Sequence, residues 1–106
     1  MNNIKNFIKN NQGLSGIYYW MSNSNKYYIG SSICISKRII KELKELRSNK
    51  CPNKEFQKDW NLLGENLFKV GIIEYCEEYD LLEKECKYIK EYKNIYNKYI
   101  PLLEII

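Results

Sequence analysis

Two short runs of apolar and aromatic residues near the N-terminus predict a β-hairpin. Residues 16–21 (GIYYWM) and 26–30 (KYYIG) are rich in the β-branched and aromatic side chains that favour strands. The residues between them, 22–25 (SNSN), are turn formers. The pattern therefore predicts two antiparallel strands whose glycine-containing motifs lie near each other in space.

Apolar residues then recur at helical intervals. Ile39, Leu43 and Leu46 lie three or four positions apart, which predicts a helix that ends at about Arg47. Ser36 precedes this run and has the side chain of a good N-cap. The first long helix therefore follows the hairpin after a short connection.

A second helix, a third strand and a last helix complete the pattern. Residues 53–63 and residues 79–92 each carry one apolar helical face. Between them, residues 67–76 (LFKVGIIEYC) predict a strand that is buried on both faces, in which Gly71 marks a bulge or a close approach. No repeat or linker interrupts the chain, so we expect one α+β domain over residues 1–106 with about three strands.

The two ends of the chain leave alternatives open. Ile4, Phe7 and Ile8 stand at helical spacing within the polar residues 1–13, which form either a short amphipathic turn or a flexible N-terminal arm. Residues 101–106 are apolar and either join an interface or pack on the core.

Charge is unevenly distributed. Residues 1–50 carry a net charge of +7 and residues 51–106 a net charge of −3, within a chain total of +4. A basic half is the electrostatic footprint expected of a protein that binds a polyanion, although a solvated basic face looks the same in sequence.

Cysteine and histidine usage excludes a common class of metal site. None of the four cysteines is spaced as C-x-x-C, and the chain has no histidine to complete a zinc site. No apolar stretch approaches the length of a membrane span, and no signal peptide is evident. We therefore expect reduced cysteines in an intracellular protein, cytoplasmic or nuclear, with no membrane partner.

Two tripeptides and one arginine carry the first candidate chemistry. Gly16-Ile17-Tyr18 and Tyr28-Ile29-Gly30 fall on the two predicted hairpin strands, and Arg38 follows in the next helix. Glycine allows a close backbone approach of the kind that a phosphate would need. A guanidinium offers two parallel hydrogen bonds to phosphate oxygens.

Glu85 is the sharpest anomaly in the pattern. Its neighbours one helical turn away are Leu81, Leu82, Tyr88 and Ile89, so its carboxylate lies on an otherwise apolar face. A buried charge is costly unless it is paired or bound to a metal. The alternatives are a side chain that reaches solvent at the edge of the face, or one that pairs with a lysine.

In order and spacing, these motifs resemble the GIY-YIG endonuclease family over residues 15–97, most closely its homing-endonuclease type. The segments that carry the resemblance are Gly16-Ile17-Tyr18, Tyr28-Ile29-Gly30-Ser31-Ser32, Arg38, Asn53-Lys54-Glu55-Phe56-Gln57 with Trp60, the strand at 68–76, Glu85-Cys86-Lys87-Tyr88-Ile89, and Tyr96-Asn97. The resemblance implies a small core with a three-stranded antiparallel sheet flanked by helices.

The resemblance also implies an activity and a set of roles. The chain would be a metal-dependent DNA endonuclease with one Mg²⁺ or Mn²⁺ on Glu85, which suits a cation that keeps several waters. Tyr18 would help to activate water, Tyr28 would lie nearby, and Arg38 would stabilise the phosphate. Further contacts to phosphate or DNA would come from Gly30, Lys37, Lys41 and Asn97, the last of which would alternatively support the active-site structure.

One departure from the family concerns the general base. Many relatives of the homing type carry a histidine one turn after the arginine, where this chain has Glu42. We hypothesise that Tyr18 carries the base role instead, with its pKa lowered by the metal or by one of three lysines, namely Lys26, Lys37 or Lys41.

A second departure concerns DNA recognition. Relatives attach this core to a recognition domain, whereas this sequence ends at Ile106. We therefore expect that the protein has low sequence specificity, that it reads DNA shape, or that a partner or a second copy supplies recognition. We also expect the protein to be encoded by a phage, a virus or a mobile element. The alternatives are a catalytically weakened nucleic-acid-binding module of the same fold, and an interaction domain that binds no DNA.

Overall fold

The computed structural model describes residues 3–98. Residues 1, 2 and 99–106, and with them the apolar end at 101–106, lie outside the described part. The helices and strands are α1 (Asn3–Asn10), β1 (Gly16–Ser22), β2 (Tyr27–Ser32), α2 (Ile35–Arg47), α3 (Lys54–Leu63), β3 (Phe68–Tyr75) and α4 (Leu81–Glu91), with short 3₁₀ turns at Glu65–Leu67 and Glu78–Asp80.

The strands form one antiparallel sheet in the order β2-β1-β3. Tyr18 lies opposite Gly30 on one side of β1 and opposite Ile72 on the other. Ile17 pairs with Glu74, so β3 carries one extra residue, a bulge, at the level where Ile17 passes to Tyr18. The three-stranded antiparallel sheet expected from the sequence is confirmed.

Successive side chains of β1 point to opposite faces of the sheet, and helices cover both. Tyr18 and Trp20 are fully buried on the face covered by α1, α2 and α3. Ile17 is fully buried on the opposite face, where it packs with Ile29 of β2 and with α4. The central strand therefore separates two apolar clusters that together form the core.

The N-terminal residues take the helical alternative. Helix α1 spans Asn3–Asn10, and its Ile4 is buried in the larger cluster. Asn11 closes the helix with a side-chain hydrogen bond to the Phe7 carbonyl, at 2.8 Å. The Tyr75 hydroxyl of β3 donates in turn to Asn11, so the described part of the N-terminal segment is fixed to the sheet.

Ser36 is not the N-cap of α2, and that prediction was wrong. The helix begins at Ile35, the N-cap position is Cys34, and Ser36 is buried within the first turn. The backbone N–H of Ile35 donates to the Leu14 carbonyl at 2.9 Å. A tertiary contact therefore satisfies one of the amides that a capping side chain would otherwise serve.

Strand β3 is less buried than its apolar sequence predicts. Phe68 and Val70 are buried, whereas Lys69 and Tyr75 are exposed. The reason is topological, because β3 is an edge strand and not the central one. Gly71 marks a close approach, since a Cβ there would collide with the Tyr19 phenol.

Asn53 joins the start of α3 to the C-terminal segment. Its side-chain oxygen accepts from the Phe56 N–H at 3.0 Å, which caps the helix. Its side-chain amide donates to the Tyr96 carbonyl at 2.8 Å. Tyr96 is itself fully buried and stacks on Phe56. The Asn53 side chain thus stabilises both the start of α3 and the C-terminal segment.

We expect Asn53→Ala to lower the free energy of unfolding by about 2 kcal/mol, since it removes the cap and leaves a carbonyl without its donor. Urea denaturation followed by tryptophan fluorescence measures this loss. The matched control is Lys58→Ala on the exposed side of α3, which should leave stability nearly unchanged. Equal stability of the two variants would contradict the double role of Asn53.

Candidate active site

Two adjoining pockets form a cleft along the outer edge of β2. One, of about 270 Å³, is lined by Glu85 and Asn97, and the other, of about 160 Å³, is lined by Arg38 and Glu42. Tyr28, Pro52 and Asn53 line both pockets. The cleft therefore brings together residues from β2, α2, α4 and the connection between α2 and α3.

Ser31 of β2 connects Arg38 to Glu85. The Ser31 hydroxyl donates to Oε1 of Glu85 at 2.6 Å. Nη1 of Arg38, which is otherwise exposed, donates to the Ser31 backbone carbonyl at 3.3 Å. A cationic group and an acidic group thus lie on either side of one strand residue, at the edge of the sheet.

Burial dominates the electrostatics of Glu85. It raises the pKa of this carboxyl above its ordinary value, whereas the Ser31 hydrogen bond and the Arg38 charge act in the opposite direction. Partial burial destabilises the ionised carboxylate, and a positive charge close to it would stabilise it again. Such a carboxylate is suited to bind a cation.

Tyr18 and Gly30 fit together across the strands. The Tyr18 side chain is fully buried, and a Cβ at Gly30 would collide with its phenol. The absence of a side chain at Gly30 therefore makes room for the Tyr18 ring. The phosphate contact expected of Gly30 stays a prediction.

Glu42 accepts two hydrogen bonds from the core. The Tyr18 hydroxyl donates to Oε2 at 2.7 Å, and Nε1 of Trp20 donates to Oε1 at 3.0 Å. Burial raises the pKa of the Glu42 carboxyl, although both hydrogen bonds and the charge of Arg38 act against the shift. A side chain noted in the sequence only for replacing a histidine therefore belongs to the site.

The pKa of the Tyr18 phenol is raised well above its ordinary value, first by burial and then by the charge and hydrogen bond of Glu42. The three lysines that were expected to lower it have other surroundings. Lys26 pairs with Glu55, Lys41 pairs with Glu45 at 2.8 Å, and Lys37 is exposed on α2. The proposal that a lysine lowers the pKa of Tyr18 is therefore wrong.

Tyr28 forms the wall between the two pockets. Its ring stacks on Phe56, with centroids 5.2 Å apart, and its other side faces the cleft. Burial, followed by the negative charge of Glu42, raises the pKa of the phenol. Tyr28 is therefore a neutral hydroxyl at the centre of the cleft.

Asn97 fastens the C-terminal segment to β2. Its side-chain oxygen accepts from the Ile29 N–H at 2.9 Å, and its amide donates to the Ile29 carbonyl at 2.8 Å. Of the two roles that the resemblance implies for Asn97, this geometry matches support of the active-site structure.

The described residues fit one hydrated divalent cation. Among residues 3–98, no group of three or more His, Cys, Asp or Glu side chains is arranged to hold a metal. Glu85, whose carboxylate carries two oxygen donors, lines the larger of the two pockets. Mg²⁺ binds through one or two carboxylates and keeps several waters, so this donor set suits it better than a zinc ion.

Sequence reasoning missed two residues of this site, Ser31 and Glu42. Ser31 belongs to the quoted motif, but its link to Glu85 depends on how α4 packs on β2. Glu42 stands four residues after Arg38, so a shared helix face was a usable signal. Its partners Tyr18 and Trp20 come from another element and carry no local signal.

Comparison with known proteins identifies the family of this chain. The family model of the GIY-YIG catalytic domain matches residues 14–99. Among curated proteins, none matches the chain.

Two solved structures share the fold. The catalytic domain of homing endonuclease I-TevI is 30% identical with a TM-score of 0.71, and the match covers 80% of this chain and 98% of that one. A mutant of the catalytic domain of intron endonuclease I-TevI is 31% identical with a TM-score of 0.72, covering 79% and 92%. With the family model matching most of its length, this chain belongs to the GIY-YIG catalytic-domain family.

Proposed function

We propose that this protein is a metal-dependent endonuclease that hydrolyses phosphodiester bonds in DNA. The observation that carries the proposal is the cleft in which Ser31 holds Arg38 and Glu85 together. Phosphodiester hydrolysis needs a cation, a positive group for the developing charge and a base for water. Family membership supports the nuclease activity.

Glu85 would hold the cation, Mg²⁺ or Mn²⁺. When bound, such an ion polarises the phosphate and neutralises charge that develops in the transition state. Ser31 orients the carboxylate for this task through its 2.6 Å hydrogen bond.

Arg38 would bind the phosphate. Its guanidinium is exposed at the cleft and is held by one hydrogen bond only among those described, which leaves further N–H donors for phosphate oxygens. Lys37 and Lys41 are exposed on the same helix and extend the positive surface beside the cleft. Contacts of this kind bind DNA without reading its sequence.

Tyr18 would contribute to water activation from inside the core. Its side chain is fully buried and its hydroxyl is directed to Glu42, so its influence passes through that carboxylate. Tyr28 would complete the cleft wall beside the reacting phosphate.

The proposed setting is an intracellular one, with DNA as substrate. Sequence recognition would be weak, would rest on DNA shape, or would be supplied by a partner or a second copy. The four cysteines are free, and none forms a disulfide with another. None of the helices in residues 3–98 has the length and apolarity needed to cross a membrane.

We expect the purified protein to nick or linearise supercoiled plasmid with Mg²⁺ or Mn²⁺ and to stop in EDTA. Glu85→Ala should reduce cleavage to background, because it removes the proposed metal ligand. Glu83→Ala, which changes an exposed acid on the same helix, is the matched control and should cleave like the wild type. Agarose gels measure all of these products.

Two results would contradict the proposal. If Glu85→Ala cut plasmid as fast as Glu83→Ala, Glu85 would not be the metal ligand. If the wild type bound DNA in a salt-sensitive manner without cutting plasmid or branched substrates, the chain would be a binding module of this fold.

Arg38→Ala should slow cleavage by about 100-fold, the usual effect of removing one donor that stabilises transition-state charge. Arg38→Lys should recover part of that rate, since it keeps the charge and loses the paired hydrogen bonds. Single-turnover rates on a plasmid measure both, with Lys90→Ala on the exposed side of α4 as control. Equal rates for Arg38→Ala and Lys90→Ala would remove Arg38 from the site.

A further inference from the structure

Of the hydrogen-bonded pair Tyr18 and Glu42, only Glu42 reaches the cleft. Tyr18 is 0% exposed and lines neither of the two pockets. Glu42 is only partly buried and lines the smaller pocket together with Arg38 and Tyr28. A base must come within hydrogen-bond reach of the proton that it removes, and of these two residues only Glu42 lines a pocket that a water could enter.

The hydrogen bonds of Glu42 suit an ionised carboxylate. Tyr18 and Trp20 each donate to a different oxygen, which an ionised carboxylate accepts without conflict. The indole N–H of Trp20 can only donate, so a glutamine would have to present its oxygen to Trp20 and its NH₂ to the Tyr18 hydroxyl, which would then act as the acceptor. Each carboxylate oxygen keeps a second acceptor site, so the group can still receive a proton from the cleft.

Groups from several elements surround Glu42 and influence the pKa of its carboxyl. Tyr18 and Trp20 face it from β1, Tyr28 from β2, Arg38 and Glu45 from α2, and Cys51 from the following connection. Burial is the largest influence and raises the pKa of the carboxyl, while Trp20, Tyr18 and Arg38 oppose it. While it is ionised, a carboxylate with a raised pKa is a stronger base than an exposed one.

We propose that Glu42 is the general base of this nuclease, that it removes a proton from the attacking water, and that Tyr18 and Trp20 are positioning residues that hold it. This inference rests on the proposed endonuclease function. The smaller pocket, of about 160 Å³, has room for a water and a phosphate oxygen beside Arg38.

The step balances without a further reactant. One proton of the attacking water passes to a Glu42 oxygen while the water oxygen forms a bond to phosphorus. The bond from phosphorus to the leaving sugar oxygen breaks, and that oxygen takes a proton from solvent. Glu42 then releases its proton to solvent, which restores the carboxylate.

The test compares three variants of the whole protein across pH. Glu42→Gln keeps the size of the side chain and removes its basicity, so it should lose about 100-fold in cleavage rate or more. Tyr18→Phe removes only one positioning hydrogen bond and should lose about 10-fold. Glu42→His introduces another base at this position and should cleave faster than Glu42→Gln.

A second readout does not depend on cleavage. Carbon-13 NMR of protein labelled at glutamate follows the titration of the Glu42 carboxyl. Its resonance is assigned as the one that is missing from the spectrum of Glu42→Gln. Its pKa should coincide with the acid limb of the wild-type rate profile. In Tyr18→Phe both should move to higher pH, because the Tyr18 hydrogen bond lowers the pKa of Glu42. Tryptophan fluorescence confirms that each variant keeps the core around Trp20.

The unfavourable outcomes are distinguishable. If Tyr18→Phe is more damaging than Glu42→Gln, Tyr18 itself contacts the water and Glu42 is not the base. If Glu42→Gln cleaves as fast as the wild type at every pH, Glu42 has only a structural role. An unshifted Glu42 titration in Tyr18→Phe overturns the positioning by Tyr18. A wild type that cuts no DNA overturns the endonuclease function itself and, with it, this base.

Discussion

The pairing of Tyr18 with Gly30 across β1 and β2 is the constraint on which the rest of the structure depends. A strand that slips by one residue turns every side chain to the opposite face, so register decides which groups enter the core. Here the absence of a side chain at Gly30 leaves room for the Tyr18 ring to lie across the neighbouring strand. The phenol is thereby directed toward α2, where Glu42 accepts a hydrogen bond from its hydroxyl.

The carboxylate of Glu42 is accommodated because the core supplies its hydrogen bonds. An isolated charge at this depth would be costly, and two donors from alternate positions of one strand reduce that cost. Trp20 contributes to the same face by packing on Phe56 and Trp60 at centroid distances of 5.8 Å. The aromatic core and the site are therefore one assembly, since the residues that pack α2 and α3 against the sheet also orient the acid.

The position of β2 at the edge of the sheet explains how groups from opposite faces meet. Arg38 comes from α2 on one face and Glu85 from α4 on the other, and both bond to Ser31, one through its carbonyl and one through its hydroxyl. A central strand would keep the two faces apart. The C-terminal segment covers the same edge, where the Asn97 side chain forms hydrogen bonds with both the N–H and the carbonyl of Ile29.

The sequence by itself determined the order of elements, the family and several polar groups at the cleft, among them Tyr28, Arg38 and Glu85. Periodicity located the hairpin, the three later helices and β3, because period and residue type are local properties. It did not determine that β1 is central, that α2 starts at Ile35, or that Gly30 makes room for a tyrosine. Nor did it connect Glu42 to Tyr18 and Trp20, which are 24 and 22 residues away along the chain. Those features depend on contacts between distant segments, and only the packed tertiary structure fixes such contacts.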